Sequence, residues 1–571
     1  MNVVAKKNNS RDRHTEASFV GLTPKRIVFI AIVVGIALRL IHYLLDRSLW
    51  IDEAFVALNL IERPFDELLE PLKYNQAAPV GFLWITKLLM LGLGDNEYVL
   101  RLFPFLSAIA ALFLFYWVAK WFSTLPVLAI AISLFALSDR AIYYAAELKQ
   151  YSSDITLALA AYCLAIALYQ KPPNIYRSAL VAILGAIFIW ISHPVVFVLA
   201  GTGSTLLVLA LLEKNFNKIK QYIAVFFVWL VSFIAFYQIS LTKLISNDAL
   251  QSSWGGSHDS FMPFPPTNSV EAKWFIDKFF EIFDYPVGIH LSGIAALAFI
   301  FGCVTLFKEQ RAKLFIVLTP VLFTAIASGL HKYPFKGQLL LFIIPAVLLV
   351  VAEGAMEIVR VTRPKHQLLG VAFVALLFFY PVYYAALNLN DPDRYPAFEY
   401  QRVREDIKPV LDYVEENYRS GDRIYVYYAA QYAVKYYLDR YSFADLQQGE
   451  PVLASTPENW FEPVLPSYPP KLIVGEYSRD DWQTFIEELR QLQKSDKPNG
   501  QGDSPDRRKT TSDAEVSRAS RRVWLIFAHA VDRRSELDEE DVFLGFANTL
   551  GKQIDSYQGV EAAAYLYDFS P

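Results

Sequence analysis

The chain has 571 residues, 54% of them hydrophobic and 15% aromatic, with only 19% charged and a net charge of -4. A soluble core of this length cannot hide so much apolar sequence, so the composition excludes a soluble globular protein and requires many membrane spans. Both cysteines, Cys163 and Cys303, fall inside apolar segments, which argues against a disulfide framework and a zinc-thiolate site. No nucleic-acid partner is expected.

The N-terminus, 1–25, is a polar basic tail with no cleavage site behind a short apolar core, so the first span is expected to remain as an anchor. Runs of roughly 18 or more apolar residues then define about eleven spans. They centre on Val33, Phe113, Ile132, Ala160, Ile187, Leu206, Val228, Ala298, Leu322, Ala346 and Leu376. Just past the first span, Ser48-Leu49-Trp50-Ile51 leads into the acidic pair Asp52-Glu53. Arg39 lies within that span, where an ionisable residue is costly; it is either functional or snorkels to the interface.

Pro79 to Leu93 is apolar but short and carries Lys87. If it does not span, the basic groups around Lys25, Lys120, Arg177, Lys218, Arg311 and Arg363 all share one side, as the positive-inside rule expects. The segment then reads as an interfacial or re-entrant helix on the outer side, with Ala54 to Ile61 as its companion. On this parity the N-terminus is cytoplasmic. The loops 46–98, 139–150, 192–194, 242–288 and 329–337 lie outside, as does everything after Leu389.

Beyond residue 390 the chain turns polar. Arg423 to Tyr428, Lys471 to Gly475, Val523 to Ala528 and Ala562 to Tyr567 read as strands. Ile407 to Tyr418, Ala430 to Leu438 and Asp481 to Leu492 read as helices. The expected organisation is a polytopic α-helical membrane domain over 26–390, followed by an extracytoplasmic α/β domain over 391–571. Residues 494–520 are nearly devoid of apolar side chains and read as a disordered insertion.

Polar residues suited to catalysis gather in the outer loops: Asp52 and Glu53, then Glu147, Lys149, Gln150 and Asp154, then His193, and finally His331, Lys332, Tyr333 and Lys336. Each has a plainer reading. Asp52 can N-cap a helix beginning at Ala54. Glu147 and Asp154, two turns apart on a helix, can form a solvated rim with Lys149 and Arg140. His193 before Pro194 suits a turn. His331, Lys332 and Lys336 are basic on the outer side, against the positive-inside pattern, which favours a bound anion there. A divalent metal held by Asp52, Glu147 and a histidine is chemically possible, but no spacing demands one. Walker A, zincin, nucleophile-elbow and dinucleotide motifs are absent from the sequence. Loop 242–288, with Trp254-Gly-Gly-Ser-His258 and Phe261-Met-Pro263-Phe-Pro265-Pro266, reads either as a lid or as a surface loop folded against the outer domain.

The order Trp50-Ile-Asp52-Glu53-Ala-Phe55, Ala78-Pro79 opening a short apolar helix to Leu93-Gly94, and Asn96-Glu97-Tyr98-Val-Leu-Arg101 resembles the N-terminal half of GT-C glycosyltransferases. The branch is that of protein O-mannosyltransferases and aminoarabinose transferases, glycosyltransferase family 39-like. Glu147-Leu-Lys-Gln-Tyr151-Ser-Ser-Asp154 and His331-Lys-Tyr-Pro334-Phe335 resemble segments of bacterial members, so the resemblance covers roughly 26–354. It implies a plasma-membrane (inner-membrane) enzyme that takes a sugar from a polyprenyl-phosphate donor to a lipid, glycan or protein acceptor at the outer face, with no cofactor certain. It also implies Asp52 as the base, Glu53 as its orienting partner or a ligand for acceptor hydroxyls, and Lys149, Lys332 and Lys336, with Arg101, as groups for the phosphate. At Lys336-Gly337-Gln338 the chain departs from the pattern, which leads one to expect an arginine near 338. The rival class is a transporter or flippase, but transporters place ionisable groups near the bilayer midplane and often carry internal repeats. Here the acids sit at span ends and no repeat is visible. A non-catalytic scaffold leaves the acidic pair and the outer basic residues without purpose.

Overall fold

The computed structural model describes residues 23–245, 260–390, 405–443, 450–453, 463–469, 471–478, 482–494, 522–530 and 539–570. The basic tail up to residue 22, the Trp254–His258 half of the long loop and the polar insertion from residue 495 lie outside the described residues.

Helix α1 (Pro24–Leu44) leads into two short helices, α2 (Ile51–Glu62) and α3 (Val80–Leu93). Then come α4 (Glu97–Phe122), α5 (Leu125–Ala136), α6 (Asp139–Tyr143), α7 (Tyr151–Gln170), α8 (Ile175–Ile191), α9 (Val195–Leu212) and α10 (Phe216–Phe236). Three more follow: α11 (Ser269–Asp284), α12 (Ser292–Glu309) and α13 (Arg311–Gly329). The last, α14 (Ile344–Asn390), is broken by non-helical backbone at His366.

Among the described residues nine helices are long and apolar enough to cross a bilayer, or ten if α5 and the turn after it, bent by 57°, form one broken span. Helix α8, 17 residues long, is one residue shorter than the shortest of these nine. All eleven apolar segments read from the sequence are thus helical, and α3 remains short.

Breaking a helix inside an apolar bundle strands its last carbonyls, and each stranded group costs several kcal/mol in hydrocarbon. Arg39 resolves this for α5. Its guanidinium donates to the Phe135 and Ala136 carbonyls at 3.3 and 3.2 Å, and to Gly35 O at 2.9 Å. The buried arginine is therefore a helix C-cap and does not snorkel. Lys87 does the same for α2, donating to the Leu60 carbonyl at 2.6 Å. Elsewhere close backbone approach sets the packing: a Cβ on Gly354 would sit 1.7 Å from Ala298 O, so only glycine lets α14 lie against α12 at that depth.

The C-terminal unit consists of α15 (Ile407–Asn417), β1 (Arg423–Val426), α16 (Gln431–Leu438), β2 (Leu472–Val474), α17 (Trp482–Lys494), β3 (Arg522–Ala528), α18 (Glu539–Leu550), β4 (Lys552–Gln558) and β5 (Ala562–Asp568). Its sheet has the order β2-β1-β3-β5-β4. The first three strands are parallel, and β5 and β4 add on antiparallel. Strand β4 escaped the sequence reading because it is a polar, mostly exposed edge strand, where the alternation that marks a half-buried strand is weak. Helix α18 escaped it too.

The unit does not stand apart from the membrane part. Leu49, Ile51, Phe55 and Leu58 share one hydrophobic core with Ile407, Tyr432 and Tyr437. Phe55 packs edge-on against Tyr432, with ring centroids 4.6 Å apart, and both rings contact Tyr74.

Candidate active site

At one end of the bundle, the entry to α2 meets the start of α4 and the turn between α6 and α7. Helix α2 begins at Ile51 with Trp50 as its N-cap, so Asp52 lies in the first turn and is not the cap. Both carboxylates there face the positive end of the helix dipole. The two adjacent acids then diverge, because successive helical residues point about 100° apart.

Glu53 turns inward and is fully buried. Arg101 grips it from α4, Nε to Oε1 at 2.8 Å and Nη2 to Oε2 at 2.5 Å. The Leu148 N–H donates to Oε1 at 2.6 Å. The remaining Arg101 donors reach the Arg47 and Ser48 carbonyls at 2.7 and 3.1 Å. One buried ion pair thus joins three segments remote in sequence.

Asp52 turns outward, 40% exposed, with Lys149 Nζ 3.8 Å from Oδ2. Lys149 itself donates to Gln76 Oε1 at 2.7 Å, and Gln150 donates to the Ala77 carbonyl at 3.3 Å. The segment before α3 is therefore tied to the residues beside Asp52.

Glu147 is not on a helix, since α7 begins only at Tyr151; the expected helical face of Glu147 and Asp154 does not form. Instead Trp50 Nε1 donates to Glu147 Oε2 at 2.8 Å and Arg47 Nη2 to Oε1 at 3.3 Å. Burial, and secondarily the nearby Glu53 charge, push the Glu147 carboxyl above its ordinary value. Arg140 pairs with its neighbour Asp139 and lies over the Tyr285 ring, 4.3 Å from the centroid.

Asp154 is buried one turn into α7, facing Ser192. Next to that serine, His193 packs on Phe236 with ring centroids 5.7 Å apart, and burial pushes its imidazole down to about 4, which keeps it neutral. Tyr333 donates to the Leu339 carbonyl at 2.9 Å and lies within electrostatic range of Asp154. Tyr151, at the start of α7, packs edge-on against Tyr144 with ring centroids 4.8 Å apart, within electrostatic range of Asp52, Tyr285 and Asp154. Gln338, in the place where an arginine was expected, accepts from Tyr285 Oη at 3.3 Å.

His331 and Lys332 are exposed, and His331 stacks on Phe261 with centroids 5.1 Å apart. Residues 260–262 are tied to this loop, Phe335 N donating to Ser260 O at 2.7 Å and Met262 N to Ser328 Oγ at 2.8 Å. Lys336 caps the short helical turn 337–343 that carries Gln338. Among the described residues no three His, Cys, Asp or Glu side chains group closely enough to hold a metal ion. The carboxylate of Glu147 is already occupied by its two donors.

Arg47, Gln76, Tyr151, Tyr285 and Gln338 were not singled out from sequence. Tyr151 lay within a stretch already noted, and Gln338 was visible only as a departure from an expected arginine. Nothing in the sequence marks Arg47, Gln76 or Tyr285, because their partners lie on distant segments.

No protein-family model and no curated protein matches the chain. Among solved structures it is similar to ArnT from Cupriavidus metallidurans in the apo state, at 11% identity over 95% of this chain and 98% of that one, with a TM-score of 0.48. ArnT bound to undecaprenyl phosphate matches at 10% identity over 95% and 97%, with a TM-score of 0.47. The archaeal oligosaccharyltransferase AglB from Archaeoglobus fulgidus, in complex with an inhibitory peptide and a dolichol-phosphate, matches at 11% identity over 95% of this chain and 74% of that one, with a TM-score of 0.45. ArnT and AglB are both members of the GT-C superfamily.

Proposed function

We propose that this chain is an integral-membrane glycosyltransferase of the GT-C type. It moves a sugar from a polyprenyl-phosphate donor to an acceptor hydroxyl on a lipid, glycan or protein, with Asp52 as the base. The observation that carries this reading is the divergence of two neighbouring carboxylates. Glu53 is sealed into an ion pair and has no oxygen to spare, whereas Asp52 remains partly exposed beside a lysine. A single displacement needs one accessible base near the acceptor, and cations near the departing phosphate.

Asp52 takes the acceptor proton as the acceptor oxygen bonds to the anomeric carbon. The bond from that carbon to the phosphate oxygen breaks, and its electron pair leaves with the lipid phosphate, giving inversion. Lys149 is the cation nearest this exchange. Lys332 and Lys336 serve the phosphate from the neighbouring loop, and Gln150, Asp154, His193, His331 and Tyr333 contact donor or acceptor. Glu53 and Arg101 hold the α2 start in place. The charge parity of the loops supports an N-terminus in the cytoplasm and this end of the bundle, with the C-terminal unit, on the outer face of the membrane; the plasma membrane is what the sequence resemblance implies.

The test is transfer of labelled sugar from a set of polyprenyl-phosphate hexose and pentose donors by membranes carrying the chain. Asp52→Asn keeps shape and removes the base, and at least a ~100-fold loss of turnover is expected. Turnover that survives this change refutes Asp52 as the base, and no transfer by the unaltered chain from any such donor refutes the glycosyltransferase reading.

A further inference from the structure

A helix leaves its first N–H groups unpaired, and Trp50, the N-cap of α2, contributes no side-chain acceptor. The chain entering α2 is capped from the C-terminal unit instead. Ser48 N donates to Asp406 Oδ1 at 3.3 Å, Leu49 N to Tyr437 Oη at 2.9 Å and Ile51 N to Glu405 Oε2 at 3.0 Å. The Ser48 hydroxyl also donates to Asp406 Oδ1 at 2.5 Å and accepts from Lys408 N at 3.0 Å.

Glu405 is only 4% exposed, and its other oxygen is bonded by His529 Nδ1. His529 directly follows β3 and holds a left-handed backbone, φ 58°. A non-glycine residue pays strain for that conformation, and it persists where the surroundings over-determine it. The strained position is the one that aims a ring at Glu405.

We infer that the C-terminal unit is part of the catalytic apparatus: Glu405, steadied by His529, is a positioning residue that fixes the first turn of α2 and with it the direction of Asp52. This rests on Asp52 being the base. The bonded amide belongs to the residue immediately before Asp52, so a shift of the cap moves the carboxylate directly. A misplacement of about 1 Å costs on the order of 100-fold in rate. Contacts that merely dock the unit, such as Lys435 on Glu62, have no such lever.

The experiment uses the full chain in lipid nanodiscs, with the radiolabelled polyprenyl-phosphate donors and with amide hydrogen exchange over residues 48–56. Glu405→Leu is expected to speed exchange there and to lower kcat about 10- to 100-fold at unchanged donor KM. Glu405→Gln keeps an oxygen for the Ile51 N–H and is expected to restore most of both. His529→Leu is expected to give a smaller loss of the same kind, and it serves if Glu405→Leu fails to fold. Lys435→Gln is expected to leave turnover unchanged.

Faster exchange with unaltered kcat in Glu405→Leu reduces the contact to docking and overturns the inference. Equal loss in the Leu and Gln variants overturns it as well, because geometry is then not what matters. Unchanged exchange overturns it whether or not any sugar is transferred. A wild-type chain that transfers no sugar, yet shows the exchange response, instead removes the functional reading on which the inference stands.

Discussion

The two places where charged candidates gather, the α2 entry with its neighbours and the 331–336 loop, are built differently. Around α2, Glu53, Arg101, Glu147 and Arg47 are buried and paired, and Asp52 is left facing outward on this rigid frame. In the other loop His331 and Lys332 are exposed, and His331 stacks on Phe261. Chemistry that demands fixed geometry suits the first, because neighbouring side chains there are locked by packing and hydrogen bonds. Charge attraction that tolerates movement suits the second.

Breaking the frame is expected to have the largest effect. Arg101→Met leaves the Glu53 carboxylate buried without its partner, a loss of about 3–5 kcal/mol. Thermal unfolding of the purified chain checks this, and an unchanged midpoint means the frame is not held by this pair. Lys149→Met, beside Asp52, is expected to lower kcat/KM for sugar transfer about 100-fold. Its stability is expected to change by under ~1 kcal/mol, since a partly exposed pair contributes little.

Glu147 sharpens the comparison through pH. Its folded carboxyl is raised above the ordinary value of 4.5 by burial first and by Glu53 second. A raised carboxyl binds its proton more tightly when folded, so its stabilising contribution is complete below that value and is lost as pH rises above it. Glu147→Gln is expected to flatten this fall in a series of melting curves from pH 4 upward, and an unchanged pH slope tells against it. The smallest effect is expected from Lys332→Ala: stability within ~0.5 kcal/mol, with weaker donor binding read as a raised KM.

Much of this was legible in the residues. All eleven apolar runs became helical, the last two as the halves of the broken α14, and four strand-like runs became β1, β2, β3 and β5, because hydrophobic periodicity reports local burial. Edge strand β4 and helix α18 lacked so clear a pattern. Asp52 and Glu53 stood out as a pair, but a pair in sequence says nothing of which acid is sealed. Arg39 looked equally like a functional charge or a snorkelling side chain. Its role as the cap of α5 depends on a helix ending 97 residues later.

What the sequence determined alone is therefore local: where the chain is apolar enough to enter a membrane, where it stops, and that two acids sit beyond the first stop. What the tertiary structure decided is partnership. Glu53 meets Arg101 across 48 residues, and the Ile51 amide meets Glu405 across 354. Whether a segment is apolar enough to be buried follows from its own residues within a turn or two. Ion pairs and caps between remote segments arise only when packing brings two unsatisfied groups to one point, and no local pattern records which two.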